Sequence, residues 1–204
     1  MKKYKLLKEE YVDLPNGEKA YRIVALINFG DVHKGDKGGY LQKEENLSQT
    51  GNAWVYDNAS VYDNAWVSGD AWVSGDARIY DNARVYGNAR VSGDARVYGN
   101  AWVYGYARVS ENAMVYGDAR VSGDAMVSDR VINLIFKRYS VTVINDYISI
   151  GCKTHTYEEW KNFTDYQIAK MDGADGLVWW HNHKDIILKI CENNFKEEAN
   201  EKTK

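Results

Sequence analysis

Proline is nearly missing from this chain: Pro15 is the only one in 204 residues, against 17 glycines. A residue that removes a backbone donor has little place inside hydrogen-bonded ladders, so its rarity suits a chain built from strands and turns. Cysteine is scarce too. Cys152 and Cys191 are too few for a disulfide framework, which points to a reducing compartment. No apolar run reaches the length of a membrane span, and the charged start MKKYKLLKEE lacks the apolar stretch of a signal peptide. The expected location is the cytoplasm, with no membrane partner. Charge is nearly balanced, 26 basic residues against 29 acidic, so no overall field draws the protein to nucleic acid or lipid.

The most telling absence is local. Residues 51–130 hold no histidine, no lysine and no interruption. What they hold is a six-residue phrase in thirteen copies: Asn/Asp, Ala, a variable residue, Val/Ile, Tyr/Ser, then usually Gly/Asp. A fixed short period means one unit stacked on copies of itself, a solenoid. Ala and Val stand two apart, so on a strand both point to one face. Ala53/Val55 through Ala125/Val127 therefore predict an inward stripe. The Gly/Asp-Asn/Asp pair supplies a corner, because these residues tolerate positive φ.

The number of corners per coil follows from the Tyr/Ser position, since stacked residues tend to match. At a lag of three hexads seven of ten pairs match, at two hexads three of eleven, and at four hexads four of nine. Tyr62, Tyr80, Tyr98 and Tyr116 make the best column. Eighteen residues per coil, in three sides, is the resulting prediction, about 20 Å of stacked sheet in all.

At that spacing the outward position between Ala and Val sorts into columns. One side reads Trp66, Arg84, Trp102, Arg120, and a second Trp54, Trp72, Arg90, Arg108, Met126. The third reads Ser60, Arg78, Arg96, Met114. Alternating indole and guanidinium groups suit cation–π stacking, either as ladders that stabilise the coil or as a binding surface. The candidate binding stripe comprises Trp66, Arg84, Trp102, Arg120, Trp54, Trp72, Arg90 and Arg108, with the four tyrosines. Ten acidic residues against seven arginines in residues 51–130 speak against nucleic acid as its ligand. A host protein or a nucleotide-like small molecule remains.

Both ends read as caps on the open coil. Residues 1–50 predict a hairpin, with strands around Lys5–Val12 and Ala20–Ile27 turning at Leu14-Pro15-Asn16-Gly17, and then a loop over 29–50. Residues 131–204 predict a second hairpin, Ser140–Ile144 with Tyr147–Ile150, turning at Asn145-Asp146. Thr156-x-x-Glu159 is a capping box and Thr164 a second helix cap; Asp172–Gly176 breaks the chain. The last helix, from about Leu177 to Phe195, carries Trp179, Ile186, Ile187 and Ile190 at helical spacing. Cys152-x-x-His155 has zinc-type ligands without a standard zinc spacing, and His181 and His183 point apart on a helix. No metal and no cofactor is assigned; Cys152 and His155 are the weak metal candidates.

The hexads resemble the hexapeptide-repeat, left-handed parallel β-helix proteins, among them acyltransferases. That resemblance implies the left hand and a homotrimer. AYRIVALINFGDVHKGDKGGYLQKEENLSQTGNAWVY and the tail IGCKTHTYEEW further resemble small hexapeptide-repeat proteins of bacteriophages and prophages. Acyltransferases of the class use a histidine on the coil as general base. Here the four histidines, His33, His155, His181 and His183, all lie outside it. The expectation is a mostly β protein: a three-sided parallel β-helix with an N-terminal hairpin cap and a C-terminal α+β piece. Its expected role is non-enzymatic, a phage-type protein in the cytoplasm of a bacterial host cell that sequesters or blocks a host factor such as a defence component. The alternatives are a CoA-dependent acyltransferase, its base supplied from an end piece by His155 or His33, and a purely structural oligomerisation module.

Overall fold

A computed structural model of the chain describes residues 2–128, 131–144 and 147–201, with backbone alone at 133, 135 and 193–201. It separates into two units, Met1–Asn133 and Leu134–Lys204. In the first, β1 (Tyr4–Asp13) and β2 (Lys19–Ala25) form an antiparallel hairpin, and β3 (Lys37–Leu41) adds antiparallel to β2. The expected turn closes it: Gly17 N donates to Leu14 O at 2.9 Å, with Gly17 at φ 83°.

Next come thirteen two-residue strands, the x–Val or x–Ile pair of each hexad, from β4 (Trp54–Val55) to β16 (Met126–Val127). Each of the first ten pairs in parallel with the strand three hexads on. Val55 lies beside Val73, Ile79 beside Val97, and Val103 beside Val121. The coil therefore repeats every eighteen residues and has three sheets as its sides. Every repeat Ala from Ala53 to Ala125, and every Val or Ile from Val55 to Val127, is at most 1% exposed. Small and β-branched side chains fill the interior.

The corners follow from backbone sterics. One column is all glycine (Gly51, Gly69, Gly87, Gly105, Gly123), each at positive φ. A Cβ on Gly69 would lie 3.0 Å from Gly87 N. In this column the stacked corners approach so closely that glycine, with no Cβ, relieves the contact.

The lead-in differs from the loop expected over 29–50. β3 pairs in parallel with the coil strand Ser60–Val61, Leu41 lies beside Val61, and Leu47 bridges to Val67. Leu41 and Leu47 are buried in the place of the repeat valines. They stand six apart, but Leu47 and Val55 stand eight apart, and those two extra residues break the hexad count. Gly39 replaces the repeat alanine because a Cβ there would lie 2.4 Å from Ala59 O.

This lead-in also closes the coil's first edge. Within the ladder each N–H donates to a carbonyl of the next coil, as from Trp54 N to Ala71 O at 3.1 Å. The first coil's own carbonyls thus need outside donors. Tyr40 N and Gln42 N serve Ala59 O and Val61 O, and Ser48 N serves Val67 O. Two buried side chains complete the edge. Asn46 Nδ2 donates to Asp63 O and Ala65 O, at 3.1 and 2.9 Å, and Lys3 Nζ donates to Ala53 O at 2.9 Å.

In the second unit β17 (Ile132–Ile135), β18 (Ser140–Ile144), β19 (Tyr147–Ile150) and β20 (Lys153–Thr156) form one sheet in that order. The expected hairpin is present, with Ile144 opposite Tyr147; its turn at Asn145-Asp146 lies outside the described residues. Helix α1 (Tyr157–Asn162) starts at the Thr156/Glu159 capping box, Thr156 N donating to Glu159 Oε2 at 2.8 Å and Glu159 N to Thr156 Oγ1 at 3.2 Å. Helix α2 (Asp165–Glu201) is broken at Asp172–Gly173, where Gly173 has φ 71°. Its buried face holds only part of the expected set, Trp179 and Ile187. Trp179, Trp180, Ile187 and Cys191 face inward, whereas Ile186 is 55% exposed.

Candidate functional site

The repeat aligns the outward side chains in the predicted columns. Trp66, Arg84, Trp102 and Arg120 lie in one register across four coils. Two guanidinium groups flank a single indole: Arg84 lies 5.4 Å and Arg120 5.0 Å from the Trp102 ring centre. On the second side Arg90 lies 5.8 Å from the Trp72 ring, and Trp72 stacks on Tyr56 at 3.9 Å. The tyrosine column is a continuous stack. Tyr62–Tyr80, Tyr80–Tyr98 and Tyr98–Tyr116 centroids are 5.1, 4.9 and 5.4 Å apart.

Two members of the expected stripe are not on the surface. Trp54 is 1% exposed, with Tyr4 and Phe29 edge-on to its ring, so the N-terminal cap covers it. Tyr62 is buried against Leu14 and Ala20 of the hairpin, and burial pushes its phenol up to about 12. The accessible part of the stripe begins at Trp66 in the first coil, and at Trp72 and Tyr80 one coil on.

The histidines occupy four unrelated settings. His33 is exposed, 3.8 Å from Asp36. His155, on β20, stands edge-on to Trp160 and Phe163, with Nδ1 3.8 Å from Glu159 Oε2. Burial against those rings lowers its pKa from the ordinary value, more than the Glu159 charge raises it. His181 Nε2 lies 2.9 Å from Asp165, and His183 stacks on Trp179 at 4.6 Å. The Cys152/His155 pairing gains no further ligand: among the described residues no group of three metal-type side chains converges. Cys152 is exposed, and the Cys191 thiol is pushed up to about 12 by burial.

Sequence reasoning missed one aromatic cavity in the second unit, about 80 Å³ in volume, walled by Trp160, Trp179, Trp180, Tyr139, Ile168 and Met171. Its signal was present in Glu-Glu-Trp160 and Val-Trp179-Trp180. The indoles look like ordinary core until β20, absent from the sequence reading, is placed beside them.

The coil's sequence has known counterparts. A family model described as the YdcK beta solenoid repeat matches residues 77–92 and 89–105. The uncharacterized acetyltransferase YdcK of Escherichia coli (strain K12) is 36% identical over 63 residues, covering 28% of this chain and 19% of that protein. The chain carries a hexapeptide-repeat parallel β-helix. These matches correct the expectation of a non-enzymatic phage-type protein that blocks a host factor, because the counterpart of this hexapeptide helix is named as an acetyltransferase. The contrary inference rested on the coil's lack of histidine, which argues against transfer only if the base has to sit on the coil. Among the described residues no helix is long and apolar enough to cross a membrane.

Proposed function

We propose that the chain is a CoA-dependent acyltransferase of the hexapeptide-repeat class. The observation that carries this reading is the match of its coil to the repeat of YdcK, a protein named as an acetyltransferase. In such a transfer an acceptor hydroxyl or amine attacks the thioester carbonyl, a base takes the acceptor's proton, and the coenzyme thiolate leaves and is protonated. His155 is the proposed base. Burial against Trp160 and Phe163 favours its neutral imidazole, the form that accepts a proton, and Glu159 lies on the Nδ1 side to steady the imidazolium. His33, exposed on its loop, is the alternative base. The same reading carries a homotrimer, to be checked by sedimentation.

Calorimetric titration with acetyl-CoA, and release of free CoA in the presence of amine and hydroxyl acceptors, test the proposal. Saturable binding and acceptor-dependent release are expected, with His155→Asn lowering kcat by about a hundredfold or more. Absence of both binding and release overturns it.

A further inference from the structure

The three sides of the coil differ at the residue after the core valine. On the first side it is Tyr56 in the first coil and then serine four times running, Ser74, Ser92, Ser110 and Ser128. Another side carries the Tyr62–Tyr116 stack in the same place. Where three of these serines stand in place of a phenol ring a groove opens, lined by Arg90, Ser92, Arg108, Ser110, Met126 and Ser128.

Arg90 and Arg108 are direct partners across that sheet. Like charges on facing residues of adjacent strands, about 4.8 Å apart, repel and destabilise a sheet. Among the described residues no carboxylate pairs with either arginine. Arg108 forms no ion pair among the described residues, and the one recorded partner of Arg90 is the Trp72 ring. Among the described residues no carboxylate lines the groove. Asp94 and Glu111 occupy the corners beyond Ser92 and Ser110 but pair with neither arginine. The hydroxyls of Ser92 and Ser110 also lack hydrogen-bond partners among the described residues. The other facing pair, Arg78 and Arg96, is different: Asp13 and Asp76 line the groove beside Arg78, and the following residues are the stacked Tyr80 and Tyr98.

Two guanidinium groups on facing residues, beside the hydroxyls of Ser92 and Ser110, form a cationic donor set with no carboxylate among the described residues to answer it. We infer that the Arg90–Arg108 groove is a binding site for a phosphoryl oxyanion. Guanidinium groups take tetrahedral oxyanions through paired N–H donors, and serine hydroxyls satisfy the remaining oxygens. Met126 and the Trp72 ring offer apolar surface at the groove's two ends for the organic part of such a ligand.

Inorganic pyrophosphate, titrated into the full chain with no acyl donor present, tests this apart from any transfer activity. Calorimetry should show saturable binding, and the melting temperature should rise above that in chloride of matched ionic strength. The R90Q/R108Q variant should weaken binding about tenfold or more, whereas R78Q/R96Q should leave it unchanged. Both pairs are exposed, so a cooperative melt at or above the wild-type temperature without anion confirms that each variant folds. Equal pyrophosphate binding by R90Q/R108Q, or no rise over chloride, overturns the proposal. Citrate binding more tightly than pyrophosphate overturns its phosphoryl class.

Discussion

The carboxylate of Asp81 accepts the backbone N–H of Gly99, one coil further on, at 3.0 Å. Asp81 itself sits at φ 58°, a left-handed corner that glycine fills in most hexads. Asp57 does the same for Gly75 N at 2.9 Å. Aspartate at these corners is strained by its Cβ, and the bond from its carboxylate to the next coil offsets that strain. Asp81→Ala keeps the strain and loses the bond, so it should destabilise the protein by about 1–3 kcal/mol. Asp81→Gly loses both and should cost less. Equal losses in chemical denaturation would rule out the compensation.

Lys3 gives the fold a pH dependence. Burial lowers its pKa from 10.5 to about 8, more than Asp70 raises it. Below about pH 8 both folded and unfolded chains hold the proton, and stability does not respond to this group. Between there and 10.5 the unfolded chain binds more protons, so the folded state gains stability as pH rises. The difference in unfolding free energy between wild type and Lys3→Met, followed by denaturant melts across that window, should grow with pH. A flat difference would mean Lys3 is not desolvated.

Two tryptophans at equivalent hexad positions should behave oppositely. Trp54→Ala removes a ring buried among Tyr4 and Phe29 and should cost about 3–5 kcal/mol. Trp66, 40% exposed, should tolerate alanine within about 1 kcal/mol. Thermal melts of the two variants decide it.

His155 sets an acid limit on the proposed transfer. Its pKa is lowered below 6.5, so the neutral base persists down to that point and the rate should fall only as pH drops below it. Rate profiles of wild type and His155→Asn check this, the variant losing the acid limb. Should the limb persist in His155→Asn, another group is the base.

The period was legible because each hexad meets the same surroundings, so the Tyr62, Tyr80, Tyr98 and Tyr116 matches reported real stacking. The hairpins at both ends were legible from alternation and from Pro15-Asn16-Gly17. What escaped was set by contacts between distant segments. Leu41 and Leu47 belong to the coil, yet two extra residues before Val55 hide their spacing. Trp54 reads like Trp66 until the cap covers it. β20 is four largely polar residues, Lys153–Thr156, whose strand character comes from pairing with β19. The expected role leaned on a different kind of signal: a missing coil histidine constrains where a base sits, and says nothing of whether the chain transfers acyl groups.

Partnering at eighteen residues makes that number the quantum of length for this molecule. Excising residues 84–101 would join Ala83 to Trp102 and set Trp66 beside Trp102, shortening the protein by one storey with every side still in phase. Excising six would rotate everything downstream by a third of a circle, moving the later arginines and serines onto a different wall. Such a protein can grow or shrink without being redesigned, provided it does so a whole storey at a time.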